Sequence, residues 1–406
     1  MRLSVVIIGD EILIGQVTDT NSGAIARTLG RAGWEVVRIF TVGDERDAIT
    51  EAISSALAIS DLVITTGGLG PTKDDITKHV LTEIFGGELR RDPTVLDNVH
   101  KIFDKRELKL NALTEGQAMV PTSCRVIQNL FGTAQIMWFE REGKVLISMP
   151  GVPFETEGML PEVAAQIKQR FNPDEQLLHS TMIVSGITES DLATKLNDYE
   201  ISLAEGLHLA YLPANGYIRL RLDGKGEGCR HFDAALNELY VQLGEYLMYK
   251  GDATPAQIVM QILRERGLTL AMAESCTGGN IAHRITSIAG SSDVFVGSVV
   301  SYANSVKEGL LGVDDADIEI HGAVSREVVE QMARGVCAVT GATCGIATSG
   351  IAGPGGGTPE KPVGTVWMGW CVNGKVSSQL IRCPGNRSRV IDRATDTALL
   401  GILKLI

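Results

Sequence analysis

The chain has 406 residues, of which 44% are hydrophobic and 21% charged, a composition typical of a globular protein that is too long for one core. Its formal net charge of −12 argues against a broad binding surface for nucleic acid. No apolar run approaches the ~18 residues needed to span a bilayer. The seven cysteines are scattered and form no Cys-x-x-Cys pair, which argues against zinc. We therefore expect two or three domains in a cytoplasmic protein with reduced thiols and with neither a membrane nor a nucleic acid as partner.

Strands and helices alternate through the first ~170 residues. "LSVVIIG", "WEVVRIFTVG" and "DLVITTGG" have strand patterns, and "RDAITEAISSALA" and "KDDITKHVLTEIF" have helical ones. This alternation predicts an α/β domain with a mainly parallel sheet and helices on both faces. Ligands of such sheets lie beyond the carboxyl ends of the strands.

The pattern changes between about Pro173 and Tyr249. "YIRLRLDG" alternates apolar and charged residues, as a half-buried strand does, and "DGKGEG" predicts a turn or loop. A small α+β domain is expected here. The linker "YKGDATPAQ" follows, in which Asp252 or Thr254 could cap a helix that opens near Pro255.

The last ~155 residues again alternate strands and helices. "LTLAMA" predicts a strand, "CTGGNIAHRITSIAG" a helix that ends at Gly290, and "VGTVWMGWCVNGKVSSQLIRC" a hairpin that turns at Asn373-Gly374. The expected domains are therefore residues 1–172, 173–250 and 251–406.

The motif "AESCTGG" places Ser275 where a strand meets a helix. A serine there could attack a carbonyl, with the N–H groups of Thr277, Gly278 and Gly279 at the helix start holding the oxyanion. Spacing alone favours a different interpretation, a serine or threonine that caps the helix. Cys276 is a second candidate nucleophile.

"SYANSVK" offers Tyr302 and Lys307 beyond a neighbouring strand. A lysine can accept the proton of a serine if burial lowers its pKa. Strand ends in a parallel sheet lie close together, so Lys307 could meet Ser275. A solvated helix lysine is the competing interpretation.

The glycine loop "SGIAGPGGG" runs from Ser349 to Gly357 and could cradle a phosphate or carboxylate through its N–H groups. It is not a P-loop, because Gly-Lys-Ser/Thr is absent. "GNRSR" contains Arg387 and Arg389, one of which could hold an anion bidentately. Two surface arginines are the competing interpretation.

In the first domain, "TTGGLGPTKDD" joins a strand to a helix. Gly67, Gly68 and Gly70 allow a ligand to approach the backbone. Asp74 and Asp75 are predicted at the helix start, where they either cap the helix or hold a divalent cation on a diphosphate. Asp10, Glu11 and Asp44 follow other strands of the same predicted sheet and could share that site.

Together these motifs closely resemble the CinA family of competence/damage-inducible proteins over nearly the whole chain. "GDEILIG", "TTGGLGPTKDD", "NLFGTA" and "MPGVPFETEGM" resemble its N-terminal molybdopterin-binding-like domain. "AESCTGG", "GSSDVFVGSVVSYANSVK", "HGAVS", "SGIAGPGGG" and "KPVGTVW" resemble its C-terminal amidohydrolase domain.

The resemblance implies deamidation of nicotinamide mononucleotide (NMN) to nicotinate mononucleotide and ammonia in pyridine nucleotide salvage, with no cofactor and in a homodimer. By resemblance Ser275 is the nucleophile, Lys307 its base and Tyr302 an assisting hydroxyl. The implied substrate-binding positions are Ser349, Gly350, Gly353, Gly355 and Arg387.

For the N-terminal domain, the resemblance implies a metal-dependent ADP-ribose pyrophosphatase, with Asp44, Asp74 and Asp75 as metal ligands and Gly67, Gly68 and Gly70 in the nucleotide loop. This chain departs from the family motif Gly-Thr-Ala-Pro-Gly, because Gln135 and Ile136 replace the proline and glycine. Two other hypotheses stay open: a non-catalytic nucleotide-sensing scaffold, and an N-terminal domain that carries molybdopterin.

Overall fold

The structure is a computed structural model that describes residues 1–30, 32–105, 107, 109–171 and 177–406. These residues form two compact units, Met1–Leu178 with Gly224–Cys229, and His179–Asp223 with Arg230–Ile406. The predicted domain boundary at 172/173 lies outside the described residues. No helix in the described ranges is long and apolar enough to cross a membrane.

The strands have the following bounds: β1 Arg2–Ile8, β2 Glu35–Val42, β3 Leu62–Thr66, β4 Leu89–Arg91, β5 Met119–Pro121, β6 Arg125–Ile127, β7 Ile136–Arg141, β8 Lys144–Met149, β9 Leu177–Val184, β10 Leu207–Pro213, β11 Ile218–Lys225, β12 Leu247–Lys250, β13 Leu270–Glu274, β14 Phe295–Val300, β15 Cys344–Gly350, β16 Thr365–Val372 and β17 Lys375–Arg382.

The α-helices have the following bounds: α1 Asp10–Leu13, α2 Asn21–Gly30, α3 Arg46–Ile59, α4 Thr77–Phe85, α5 Pro93–Lys105, α6 Ala112–Glu115, α7 Pro153–Phe171, α8 Glu189–Ser202, α9 Phe232–Leu243, α10 Pro255–Arg266, α11 Asn280–Thr286, α12 Asn304–Leu311, α13 Asp315–His321, α14 Arg326–Thr340 and α15 Arg387–Ile402.

The first unit is built on a six-stranded sheet in the order β2-β1-β3-β8-β7-β6. The first four strands are parallel, and β7 and β6 are added antiparallel. Val5 and Ile7 pack on the face that α2 and α7 cover, whereas Val6 and Ile8 pack on the face of α3 and α4. Because side chains alternate along a strand, one apolar strand serves both cores. The predicted α/β class, with helices on both faces of a mainly parallel sheet, is confirmed.

In the second unit, the middle segment forms a four-stranded sheet in the order β10-β11-β9-β12. Ile218, Leu220 and Leu222 are buried at alternate positions of β11, as the sequence pattern predicts. The predicted turn "DGKGEG" is wrong in its first half, since β11 continues through Lys225 before a short 3-10 helix.

The rest of the second unit is a five-stranded sheet in the order β14-β13-β15-β16-β17, with β14, β13 and β15 parallel. The hairpin of β16 and β17 turns at Asn373-Gly374 as predicted, and both residues have positive φ. Helices α10, α11 and α15 cover one face, and α14 covers the other. Thr254 caps α10 in a capping box with Gln257.

Helix α11 differs from the prediction. It begins at Asn280 and has seven residues, whereas the sequence pattern predicts a helix from within "AESCTGG" to Gly290. The reason is local, since Gly278 and Gly279 both have positive φ and keep the chain in a turn after β13. Residues 275–279 are therefore a turn between strand and helix.

Candidate functional site

A cavity of about 300 Å³ lies beyond the ends of β13 and β15. Ser275 comes from the turn after β13, Lys307 from α12, and Arg387 from the start of α15. The sequence-predicted residues that line this cavity are Ser275, Tyr302, Lys307, Ser349, Gly350, Gly353, Gly355 and Arg387. The structure thus brings into one pocket the residues that four separate motifs contribute.

Glu274 holds the turn on which Ser275 lies. Its carboxylate is fully buried and accepts hydrogen bonds from the N–H groups of Gly279 (3.0 Å), Ile281 (3.0 Å) and Ala282 (2.9 Å). These are donors that the start of a helix leaves unpaired, so the carboxylate satisfies them. Sequence reasoning missed Glu274, although a glutamate at the end of an apolar strand is an unusual residue to bury.

The expected set of oxyanion donors has to be corrected. The N–H of Gly279 is bound by Glu274, and the N–H of Gly278 donates to the carbonyl of Ser275 at 3.2 Å. Among the described residues, the N–H groups of Cys276 and Thr277 have no hydrogen-bond acceptor. The two donors beside Ser275 that remain free are therefore those of Cys276 and Thr277.

Lys307 is 1% exposed, and its Nζ donates to two backbone carbonyls, Ser301 O at 2.6 Å and Tyr302 O at 3.3 Å. No carboxylate pairs with this ammonium group among the residues that the structure describes. Burial lowers the pKa of Lys307 below the ordinary 10.5. Burial thus shifts the equilibrium of Lys307 toward the neutral amine, the form that can accept a proton.

Cys276 lies next to Ser275 but is almost fully buried. Burial raises the pKa of its thiol to about 12. A thiol must ionise to act as a nucleophile, so this environment suppresses its reactivity. Ser275 is half-buried and lines the cavity, which makes it the better placed of the two candidates.

Arg387 links two sides of the pocket. Its guanidinium donates to the carbonyl of Gly353 at 2.8 Å and to the hydroxyl oxygen of Tyr302 at 3.1 Å. The Tyr302 side chain is 63% exposed at the rim. The Ser349 hydroxyl is buried and donates to the carbonyl of Ala323 at 2.6 Å, so Ser349 shapes the wall through an existing bond.

In the first unit, Asp75 binds its own loop. Its carboxylate accepts from the N–H groups of Gly70 (2.7 Å) and Thr72 (2.9 Å). Helix α4 begins at Thr77, so the prediction that Asp74 and Asp75 lie at the helix start is off by two residues. Gly67 and Gly68 have positive φ, and a Cβ at Gly67 would lie 1.9 Å from the carbonyl oxygen of Ile8. The glycines are therefore needed for the path of this loop.

Asp44 lies at the end of another strand and exchanges hydrogen bonds with Asp10, each carboxylate accepting the other residue's N–H at 3.1 and 3.2 Å. Burial and the charges of Asp10, Glu11 and Asp74 raise the pKa of Asp44. No group of three or more His, Cys, Asp or Glu side chains in the described ranges could hold a metal ion. The structure does not assemble Asp44, Asp74 and Asp75 into such a group, and the metal and the pyrophosphatase activity stay predictions.

The departure at Gln135 has a clear structural effect. Its side chain is fully buried, accepts from the N–H of Asn129 at 3.0 Å and donates to the carbonyl of Thr133 at 3.2 Å. Ile136 is buried at the start of β7. The amide of Gln135 thus bridges two backbone positions of its own loop, a connection that a proline could not make.

The fold and this pocket define an α/β protein with a serine and a buried lysine beyond the strand ends of a mixed five-stranded sheet. Residues 252–406 match the family model described as the CinA C-terminal domain, and residues 4–169 match the probable molybdopterin binding domain. A CinA-like protein of Cytophaga hutchinsonii is 41% identical over 98% of this chain and 96% of its own length. The chain belongs to the CinA family.

A second full-length relative agrees with this assignment. A putative competence-damage inducible protein of Moorella thermoacetica is 37% identical over 98% of this chain and 97% of its own length. A crystal structure of a CinA protein from Thermoplasma acidophilum is 38% identical, covers 41% of this chain and 97% of that one, and gives a TM-score of 0.38.

Proposed function

We propose that the C-terminal domain is an amidohydrolase that converts NMN and water to nicotinate mononucleotide and ammonia through an acyl-enzyme on Ser275. One observation carries the proposal: a buried lysine with a lowered pKa and no carboxylate partner among the described residues shares a 300 Å³ cavity with a half-buried serine. Such a lysine is suited to activate a hydroxyl. The assignment of NMN as substrate rests on the family resemblance.

In the first step, the Oγ of Ser275 attacks the carboxamide carbon and its proton passes to the neutral Nζ of Lys307. The carbonyl oxygen takes up the negative charge of the tetrahedral intermediate. The free N–H groups of Cys276 and Thr277 are available to stabilise that charge. Glu274 supports this step indirectly, because its bonds to the N–H groups of Gly279 and Ile281 hold the turn that carries Ser275.

In the second step, the carbon–nitrogen bond breaks and the protonated Lys307 donates its proton to the leaving nitrogen, which departs as ammonia. Water then attacks the acyl-enzyme and gives up a proton to Lys307. The carbon–oxygen bond to Ser275 breaks, the nicotinate carboxylate is released, and Ser275 recovers its proton. No cofactor takes part in this scheme.

Arg387 and the loop from Ser349 to Gly357 are proposed to bind the 5′-phosphate of the substrate. Arg387 is the cation of the pocket rim and is already oriented by Gly353 and Tyr302. A guanidinium in this arrangement can receive a phosphate bidentately. A homodimer in the cytoplasm completes the proposal.

The test is ammonia release from NMN, without added metal, by the wild type, Ser275→Ala and Cys276→Ala. Loss of the nucleophile is expected to lower kcat by about 10⁴-fold or more. Cys276→Ala should keep activity within about tenfold, because it removes a side chain and leaves the N–H. Equal rates for wild type and Ser275→Ala would eliminate Ser275 as nucleophile. Release by no form would favour the nucleotide-sensing scaffold.

A further inference from the structure

A second cleft, of about 980 Å³, lies within the second compact unit and is roughly three times as large as the Ser275 cavity. One wall consists of the loops that follow β9 and join β10 to β11, and the other consists of β17 and α15. Its size is at the upper end of the ~300–1,000 Å³ typical of small-molecule sites. Arg389, the second arginine of the "GNRSR" motif, lines it, and the other sequence-predicted functional residues do not.

Helix α15 presents one continuous row of residues to this cleft: Arg389, Arg393, Thr397 and Gly401. Residues four apart lie on the same face of a helix. Lys404 lines the cleft just beyond the helix. Like charges four residues apart destabilise a helix, so folding alone does not favour two arginines in these positions.

These three cations are not neutralised. In the part of the chain that the structure describes, the side chains of Arg389, Arg393 and Lys404 form neither an ion pair nor a hydrogen bond. Arg284 of α11, by contrast, forms an ion pair at 3.0 Å with Asp392, which lies on α15. In a chain with a net charge of −12, three unpaired cations in one concavity create a local field that favours an anion.

The opposite wall is held close to the helix by Gly216. This residue has a φ of 88°, and a Cβ at its position would lie 2.5 Å from the Thr397 hydroxyl oxygen. The close approach brings the half-buried ring of Tyr217 into the same cleft. An aromatic face beside a cationic row can accommodate a planar group attached to phosphates.

The rim away from α15 carries carboxylates. Asp191 is engaged with the hydroxyl of Thr188 at 2.7 Å, and Glu189 is exposed. Carboxylates repel phosphate and accept hydrogen bonds from hydroxyl or amino groups. The cleft therefore has a cationic end at α15 and an accepting end at the start of α8.

We propose that this cleft binds a nucleoside polyphosphate, with its phosphates on Arg389 and Arg393, which lie one turn apart on α15, and its nucleoside toward Tyr217 and Glu189. Two guanidinium groups one helical turn apart suit neighbouring phosphate groups, and the volume leaves room for a base and a sugar. The proposal does not depend on the reaction in the Ser275 pocket.

The test is isothermal titration calorimetry of the full chain with ATP in the presence of EDTA. Wild type should bind one ATP, and inorganic tripolyphosphate should compete for the same site. Arg389→Gln with Arg393→Gln should weaken binding by about 100-fold, since each lost charge-assisted hydrogen bond costs roughly tenfold. Arg334→Gln, which removes an exposed arginine of α14 outside the cleft, should bind as wild type does.

Arg387→Gln distinguishes the two pockets, because it removes the cation of the Ser275 cavity and should leave ATP binding within about twofold. If Arg387→Gln alone abolishes binding, ATP occupies that cavity and the proposal is wrong. Absence of ATP binding, lack of competition by tripolyphosphate, or equal affinity of the double variant and Arg334→Gln would each overturn it. Should the double variant fail to fold by circular dichroism, exposed Arg389→Gln alone should weaken binding by about tenfold.

Discussion

Two turns in this molecule are built alike but leave different groups without a hydrogen-bond partner. The loop after β3 and the turn after β13 both lead from a parallel strand into a helix, both contain glycines with positive φ, and both are held by a carboxylate. Asp75 binds the N–H groups of Gly70 and Thr72, and Glu274 binds those of Gly279, Ile281 and Ala282.

The two turns differ in which of their backbone N–H groups the structure leaves free. Around Glu274 the carboxylate is buried, and the N–H groups beside Ser275 stay free next to a buried lysine. In the loop after β3, the Asp75 carboxylate accepts the N–H groups of Gly70 and Thr72. The carboxylates of Asp44 and Asp10 each accept the backbone N–H of the other residue. A carboxylate that fixes a turn therefore supports chemistry only where it leaves a nucleophile and donors free.

After Ser275→Ala, the largest effect is expected for Lys307→Met, which removes the base and keeps an apolar side chain of similar length. NMN deamidation should fall by about 10²–10⁴-fold. The wild-type rate should rise with pH through the pKa of Lys307, which lies below 10.5, because only the neutral amine accepts the proton. Exposed Lys375→Met is the control and should keep full activity. A wild-type profile that is flat with pH would contradict the role of Lys307 as base.

Glu274→Gln should weaken the turn after β13, which carries Ser275. An amide keeps the shape but places an NH₂ donor against backbone N–H groups, so about 1–3 kcal/mol of unfolding free energy should be lost. Because the turn also positions Ser275, kcat should fall more than KM rises. Urea unfolding and steady-state kinetics measure both effects, with exposed Glu319→Gln as the control. An unchanged kcat with lowered stability would restrict Glu274 to a structural role.

The sequence predicts the strands, the hairpin at Asn373-Gly374 and the grouping of residues at strand ends. These features depend on local signals, namely the spacing of apolar residues and the positions of glycines in turns. It does not predict the late start of α11 or the role of Glu274. Those depend on two consecutive glycines with positive φ and on burial of a carboxylate beneath a turn. Gln135 is similar, since only the packed loop shows that its amide replaces the rigidity of a proline.

Lys78 extends the comparison to a second buried lysine, on the helix after the Asp75 loop. Burial lowers its pKa to about 8, while Nζ donates to the Gln117 side chain at 3.0 Å. Between pH 8 and 10.5 the unfolded chain binds the proton more tightly, so this group makes stability rise with pH by at most ~1.4 kcal/mol per unit.

Lys78→Met should remove that slope, whereas exposed Lys73→Met should keep it. Chemical denaturation at pH 8 and pH 10 measures the difference. An identical pH dependence of wild type and Lys78→Met would show that Lys78 is not buried in the folded protein.

The smallest effect is expected for Asp75→Asn, which leaves one acceptor for the loop N–H groups. It should cost about 1 kcal/mol in urea unfolding. Asp74→Asn, at the exposed neighbouring position, should cost almost nothing. A larger cost at Asp74 than at Asp75 would reverse the assignment of the residue that fixes this loop.

The start of α15 limits where residues can be inserted or deleted. Asn386 caps the helix by accepting the N–H of Arg389, and Arg387 and Arg389 then point into two different cavities. An insertion or deletion of one residue within Asn386–Arg389 would rotate the helix by about 100° relative to its cap. It would therefore move Arg387 and Arg389 out of both cavities at once.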